Sequence, residues 1–217
     1  MSIPVSVVLR LKAIQAWDRW RLRGQQARHP GLRVHPDASS NLASAYFALE
    51  PGAELRIAAG VVTERRPGAL RFLLSRGARV EVGEGTWLRT EVQPVLLVAG
   101  PGAEIRIGPE GFLNGCHLSA KSTLSLGRRA WVGFGSRLID ADQHDLDAEH
   151  PERVAPISVG DYAWIAGDVS VMRGVRIGEH AVIGARSLVT ADVPPHSLAF
   201  GQPARVRGEV GDRFATR

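Results

Sequence analysis

The chain has 217 residues, 44% of them apolar and 23% charged, with a formal net charge of +5. That supports one packed domain or repeat array, and no stretch approaches the roughly 20 apolar residues of a membrane span. A single cysteine, Cys116, excludes an internal disulfide framework and fits a reducing cytoplasm.

Nearly all the positive charge is arginine, because Lys12 and Lys121 are the only lysines. Guanidinium groups bind phosphate in a bidentate fork, so an anionic ligand or surface is compatible with the composition. The arginines are scattered among short strands with no basic helix for a groove and no interleaved aromatic platform, which argues against nucleic acid. The apolar run Ile3 to Leu9 is short and followed by Arg10 and Lys12, unlike a signal peptide.

The first segment, residues 1–28, carries Val5, Val8, Leu9, Leu11, Ile14, Trp17, Trp20 and Leu22 among basic residues at helical spacing, with Gly24 near its close. An amphipathic basic helix is expected. Its default role is to cap an open β-array; the sharper alternative is peripheral contact with an anionic membrane.

A repeat follows. Gly52–Ile57, Gly77–Val82 and Gly102–Ile107 recur every 25 residues, alternating apolar and charged side chains as half-buried strands do. Toward the C-terminus the period tightens to six, through Val159, Ile165, Val171, Ile177, Ile183 and Val189. Small or β-branched residues stand four positions after each: Ala163, Val169, Val175, Ala181, Ser187 and Val193. A period of six fits neither a lone strand nor a helix and predicts a parallel β-solenoid. Glycine after the aliphatic (Gly160, Gly178, Gly184) reads as a tight-turn residue. With a coil of three hexads, the extra length of the earlier coils is expected as corner loops. Pro194 and Pro195 are expected to end the repeat, since they cannot donate to a ladder.

The array is interrupted between Leu138 and Val159 by Asp140-Ala141-Asp142-Gln143-His144-Asp145-Leu146-Asp147. A loop thrust from a rigid array is where chemistry is expected. Within it His144 has the side chain best suited to proton transfer near neutrality.

The run Pro156 to Ala166, reading PISVGDYAWIA, then Val175-Arg176-Ile177-Gly178, Val182 to Thr190, and Gly201-Gln202-Pro203-Ala204-Arg205-Val206 together resemble the hexapeptide-repeat acetyltransferases, in particular the galactoside/maltose and polysaccharide O-acetyltransferase group. The likeness covers Ile105 to Arg207, about half of the chain. It implies an all-β, left-handed parallel β-helix (residues 29–200, catalytic loop 139–158, tail 201–217). It further implies a homotrimer, acetyl-CoA as co-substrate without a metal, and a sugar or glycan acceptor at the cytoplasmic side. Carried over residue by residue, His144 matches the catalytic base and Asn114 a residue facing the active site. Trp164, Gly167, Ala185, Thr190 and Arg205 fall near the coenzyme, while the loop carboxylates Asp140, Asp142, Asp145 and Asp147 either orient the histidine ring or, Asp140 and Asp142 first, hold acceptor hydroxyls. Ala191 and Gly208 depart from the family's basic residues, and Arg173, Arg186 or Arg207 are the candidates to compensate.

Three other readings are open. N-acetylation of an amino sugar or O-acetylation of a xenobiotic would use the same fold. A zinc-dependent carbonic anhydrase would need three histidine ligands from among His117, His144, His150, His180 and His196. A non-catalytic scaffold would leave the interruption without purpose. Cys116 as an acyl-carrying nucleophile is less expected than as a buried thiol.

Overall fold

The computed structural model describes residues 4–214. Three sheets run the length of the molecule, and the chain visits them in turn. Sheet A has seven strands, from Leu32–Val34 to Arg176–Ile177; sheet B has seven, from Tyr46–Leu49 to Leu188–Val189; sheet C has eight, from Val62–Thr63 to Ala204–Glu209. All pairings are parallel except that of Ser197–Gly201 with Ala204–Glu209, which forms a terminal hairpin. This is a parallel β-helix, and the six-residue spacing is the length of one face.

The aliphatics at that spacing point inward and stack along the axis: Val159, Ile165, Val171, Ile177, Ile183 and Val189 are all buried, as are the small residues that follow them. Register keeps like on like, with Leu124 over Ile157 and Ile165 over Ile183. Each buried branched side chain contributes roughly 1.5–3 kcal/mol of burial free energy. Outside, sheet A is charged: Arg56 meets Glu54 and Glu81, and Arg106 meets Glu104.

Three local expectations need correction. Gly160 and its equivalents do not make the turn. A Cβ on Gly160 would lie 2.5 Å from the Glu179 nitrogen and 2.8 Å from the Gly178 carbonyl carbon, so glycine is there because the next coil's backbone passes overhead. The left-handed turn falls two residues later, at Arg129, Tyr162, His180 and His196, with φ between 51° and 60°. Substituting Gly160 by alanine is expected to destabilise the fold by about 1–3 kcal/mol, because backbone rather than a movable side chain must yield; a lowered thermal midpoint checks this.

Second, corner loops account for only part of the extra length in the long coils. Sheets A and B there carry three inward residues in place of two (Leu70, Phe72, Leu74 and Ala78, Val80, Val82, against Val169, Val171 and Val175, Ile177). The remainder lies in corner segments 64–69 and 90–94 between sheets C and B. Third, the prolines do not stop the array. Val193 still bridges to Ile177, and Ser197–Gly201 adds a further parallel strand on Val182–Ile183.

The N-terminal helix, Val5–Arg28, runs through Gly24. It is not the amphipathic helix expected. Its apolar residues are spread around the circumference between Val5 and Trp17, so no single stripe forms, and only Asp18 and Leu22 are buried. Asp18 is gripped by Arg65 (Nε–Oδ2 2.6 Å, Nη2–Oδ1 3.2 Å) from a corner segment. Capping falls to the helix's C-terminal turns together with the 3₁₀ helix Ser40–Ser44, while Val5, Leu9, Trp17 and Trp20 project into solvent. No helix among the described residues is long and apolar enough to cross a membrane.

Candidate active site

The interruption after strand Arg137–Ile139 folds as an irregular two-stranded finger. Ala141 bridges to Val154 antiparallel, the Asp142 amide donates to the Arg153 carbonyl at 3.0 Å, and the Leu146 amide to His150 at 2.9 Å. Asp140 roots it. It is fully buried, and its two oxygens accept the Lys121 and Ser122 amides at 2.7 and 2.8 Å. The proposed acceptor role for Asp140 is therefore corrected: both oxygens are committed to backbone, and burial pushes its carboxyl upward despite those amides. Asp140→Ala, which orphans two amides, is expected to cost about 2–6 kcal/mol at roughly 1–3 per unsatisfied group, read as a fall in thermal stability.

The finger's other carboxylates also have structural work. Asp142 pairs with Arg173 (2.6 Å), which holds its carboxyl below the usual range. Asp145 accepts the Glu152 amide at 2.6 Å, Asp147 binds the His150 ring at 2.7 Å, and Glu152 pairs with Lys121. None of the four is engaged with His144. That residue follows Gln143, which is left-handed at φ 74°, and stands exposed without a side-chain hydrogen bond among the described residues.

Asn114 ends strand Phe112–Asn114 of sheet C, in register with Arg89, and Gly115 (φ 52°) turns the chain into sheet B. Its Oδ1 is buried and has no partner. One coil of sheet B separates it from the finger: Asn114 precedes strand His117–Ala120, whereas His144 follows Arg137–Ile139, which pairs with it. Four strand residues and two corners place the two on the order of 15 Å apart within one chain.

The other site candidates divide in the same way. Gly167 and Ala185 occupy the C–B corner above Asn114, one coil apart, linked by the Arg186 amide to the Gly167 carbonyl at 3.0 Å. A Cβ on Gly167 would meet the Phe134 ring at 3.3 Å. Arg205 is exposed on the terminal hairpin, which Gln202 ties to that corner through the Arg186 carbonyl at 2.7 Å. Thr190 instead follows strand Leu188–Val189 at the far edge, beside Arg173 and the finger. Trp164 lies out on sheet C, where the Arg213 guanidinium sits 5.3 Å from its ring centroid and 4.6 Å from that of Trp131.

A family profile, bacterial transferase hexapeptide (six repeats), matches residues 156–191. A Staphylococcus aureus protein named as an acetyltransferase is 49% identical over 67 residues, covering 29% of this chain and 34% of that one. The galactoside O-acetyltransferase of Escherichia coli K12 is 32% identical over 136 residues, 61% of this chain and 64% of that one. The chain thus spans about a third of the staphylococcal relative's length and under two thirds of the E. coli enzyme's. A hexapeptide-repeat acetyltransferase of Vibrio cholerae O1 biovar El Tor, solved with acetyl coenzyme A, is 30% identical, with 63% of this chain and 73% of that one covered and a TM-score of 0.52. The chain belongs to the hexapeptide-repeat acetyltransferases. Its coil is therefore the left-handed β-helix of that family, although parallel crossovers are generally right-handed.

In this hexapeptide-repeat chain several features have no signal in the repeat. Arg213, half-buried, donates to the Tyr162 carbonyl at 2.7 Å and fixes the C-terminal segment over the sheet C aromatics. His180 and His196 stack at 4.8 Å near Asp212. The Arg213 amide donates to His180 Nδ1 at 3.0 Å. That bond puts the ring proton on Nε2, so the nitrogen facing Asp212 is a donor and not a metal ligand. Cys116 is buried and its thiol is pushed up to about 12 by burial, which removes it as a nucleophile at neutral pH.

Proposed function

We propose that this protein is an acetyl-CoA-dependent O-acetyltransferase acting on a hydroxyl of a sugar or glycan precursor in the cytoplasm. The observation that carries the reading is the placement of a solvent-facing histidine, His144, on a rigidly pinned finger at the one break in the solenoid. Kinship with the galactoside O-acetyltransferase and with the acetyl-CoA-bound Vibrio enzyme supports the choice of donor and acceptor class.

The two edges of sheet B carry complementary halves of a site. At one edge, the C–B corner offers two small residues, Gly167 and Ala185, along which a thin pantetheine arm would lie, with Arg186, Arg205 and Arg207 near its end for phosphates. The amide of Asn114 stands lower on that strip. At the other edge stand His144 and Asp142. A thioester carbonyl supplies the electrophile when the donor is bound. His144 takes the proton of the acceptor hydroxyl as its oxygen attacks the thioester carbonyl, and Asn114 with neighbouring backbone amides holds the carbonyl oxygen. The C–S bond then breaks to release coenzyme A, whose thiolate takes the proton from His144. Because the halves lie on opposite edges, a complete site forms only where the His144 edge of one subunit meets the Asn114 edge of the next, in a homotrimer. The exposed tip residue Leu146 is placed to pack on that neighbour. The projecting N-terminal helix carries Arg10, Lys12, Arg19, Arg21 and Arg23 beside the exposed Trp17 and Trp20, and this basic charge is what would hold it at an anionic membrane surface.

The test is thiol release from acetyl-CoA in the presence of a panel of sugars, with acetyl-ester formation followed by mass. Failure to bind acetyl-CoA would sink the reading.

A further inference from the structure

The C–B corner contains a small cavity that neither the coenzyme strip nor the finger uses. It has a volume of about 210 Å³ and is walled by Gln93, Pro94, Leu96, His117 and Arg137. Its overhanging wall, Gln93–Pro94, exists because this coil carries extra corner residues. The overhang is closely set: a Cβ on Gly115 would lie 2.7 Å from the Gln93 Cβ. The cavity spans the turn after Asn114, from Gln93–Leu96 on the coil below to Gly135–Arg137 on the coil above, on the corner column that continues upward to Gly167 and Ala185.

Three observations describe what this cavity takes. Among the described residues, three buried side-chain polar atoms have no partner, and two of them, Asn114 Oδ1 and His117 Nε2, belong to this one turn. Burial, and then the nearby Arg137 charge, push His117 toward its neutral form, able to exchange one hydrogen bond with a hydroxyl. The outward row of sheet B places Arg71, Leu96, His117 and Arg137 in register, and no Asp or Glu faces outward from any sheet B strand. On sheet A, in contrast, Arg56 and Arg106 pair with glutamates. Arg137 has no ion pair among the described residues, and Asp168 on the next coil faces Gly135 instead. A pocket with the room of about seven waters suits one substituted sugar ring, and it is smaller than the roughly 300–1,000 Å³ of a typical larger-ligand site.

We propose that this cavity is the acceptor pocket and that it selects a carboxylate-bearing sugar, with Arg137 pairing the carboxylate and His117 bonding an adjacent hydroxyl. The proposal rests on the acetyltransferase reading above. The same anionic chemistry could come from a coenzyme phosphate, so the experiment separates the two sources.

Calorimetry on the full chain uses galacturonate and glucuronate trisaccharides, their methyl esters, and acetyl-CoA. A uronate trisaccharide is expected to bind at least about tenfold more tightly than its uncharged ester, as a charge-assisted pair should. Arg137→Gln should reduce the acid to the level of the ester, and His117→Phe should weaken both, while acetyl-CoA affinity stays unchanged in each variant. Acid and ester binding alike, or neither acid binding, would overturn the proposal. So would a loss confined to acetyl-CoA in Arg137→Gln, which would assign the anion to the coenzyme. Wild-type protein that binds the acid but not acetyl-CoA would retain the pocket and refute the acetyltransferase reading.

Discussion

Replacement of His144 by alanine is expected to lower kcat for acetyl transfer by about 10²–10⁴-fold, the usual contribution of a positioned general base. Acetyl-CoA affinity and thermal stability should be unchanged. The finger's shape does not depend on this residue. Asp140, Asp142, Asp145 and Asp147 are each bonded elsewhere, to the Lys121 and Ser122 amides, Arg173, the Glu152 amide and His150, and Lys121 closes the base through Glu152. His144 itself is exposed and unbonded among the described residues, so truncation leaves neither a cavity nor an orphaned polar group. A fall in rate would therefore report chemistry. Steady-state rates with saturating acetyl-CoA, beside calorimetric coenzyme binding, measure both quantities. Wild-type kcat in the variant would remove His144 from the mechanism.

The ease with which the coil was read from residues has a simple cause. Each hexad has an inward aliphatic and a small or β-branched residue at the next corner, and three of them add glycine where the following coil passes close (Gly160, Gly178 and Gly184). These features are local and repeat, so Val159 through Val189 announce the architecture. The longer coils were harder, because the extra residues enlarge two inner faces by one alternating pair each, as at Leu70-Phe72-Leu74, and only partly form loops. The helix misled for a different reason: its apolar residues have helical spacing but no common side, and only Asp18 and Leu22 are held by the solenoid.

Candidate site residues can be named from the sequence, but their geometry cannot. Spacing cannot say that Thr190 and Ala185, five positions apart, face opposite edges of sheet B, since that depends on where each corner falls. Asp140 looked like one more carboxylate in an acidic loop, yet its position at the end of strand Arg137–Ile139 turns it inward onto two amides. Arg213 and the His180–His196 stack depend on the chain's end returning over sheet C, which no local pattern encodes.

The proposed division of the site between two edges makes a second strong prediction. Asn114→Ala alone is expected to cost about 10²–10³-fold in kcat, as loss of an oxyanion donor does. Mixed with His144→Ala protein and reassembled at equal proportions, these two nearly inactive variants should recover about a quarter of wild-type activity, since each interface needs an intact histidine on one side and an intact asparagine on the other, drawn at random. Recovery arises because the residues are about 15 Å apart in one chain, too far for a single acyl transfer centre. The double variant His144→Ala/Asn114→Ala mixed with wild type gives the contrasting case: the same one intact interface in four, without any possibility of complementation between damaged chains. Sedimentation of the mixtures establishes that subunits have exchanged. If exchange occurs and the single variants stay inactive together, the two residues serve the same subunit's site and the shared-edge arrangement is wrong.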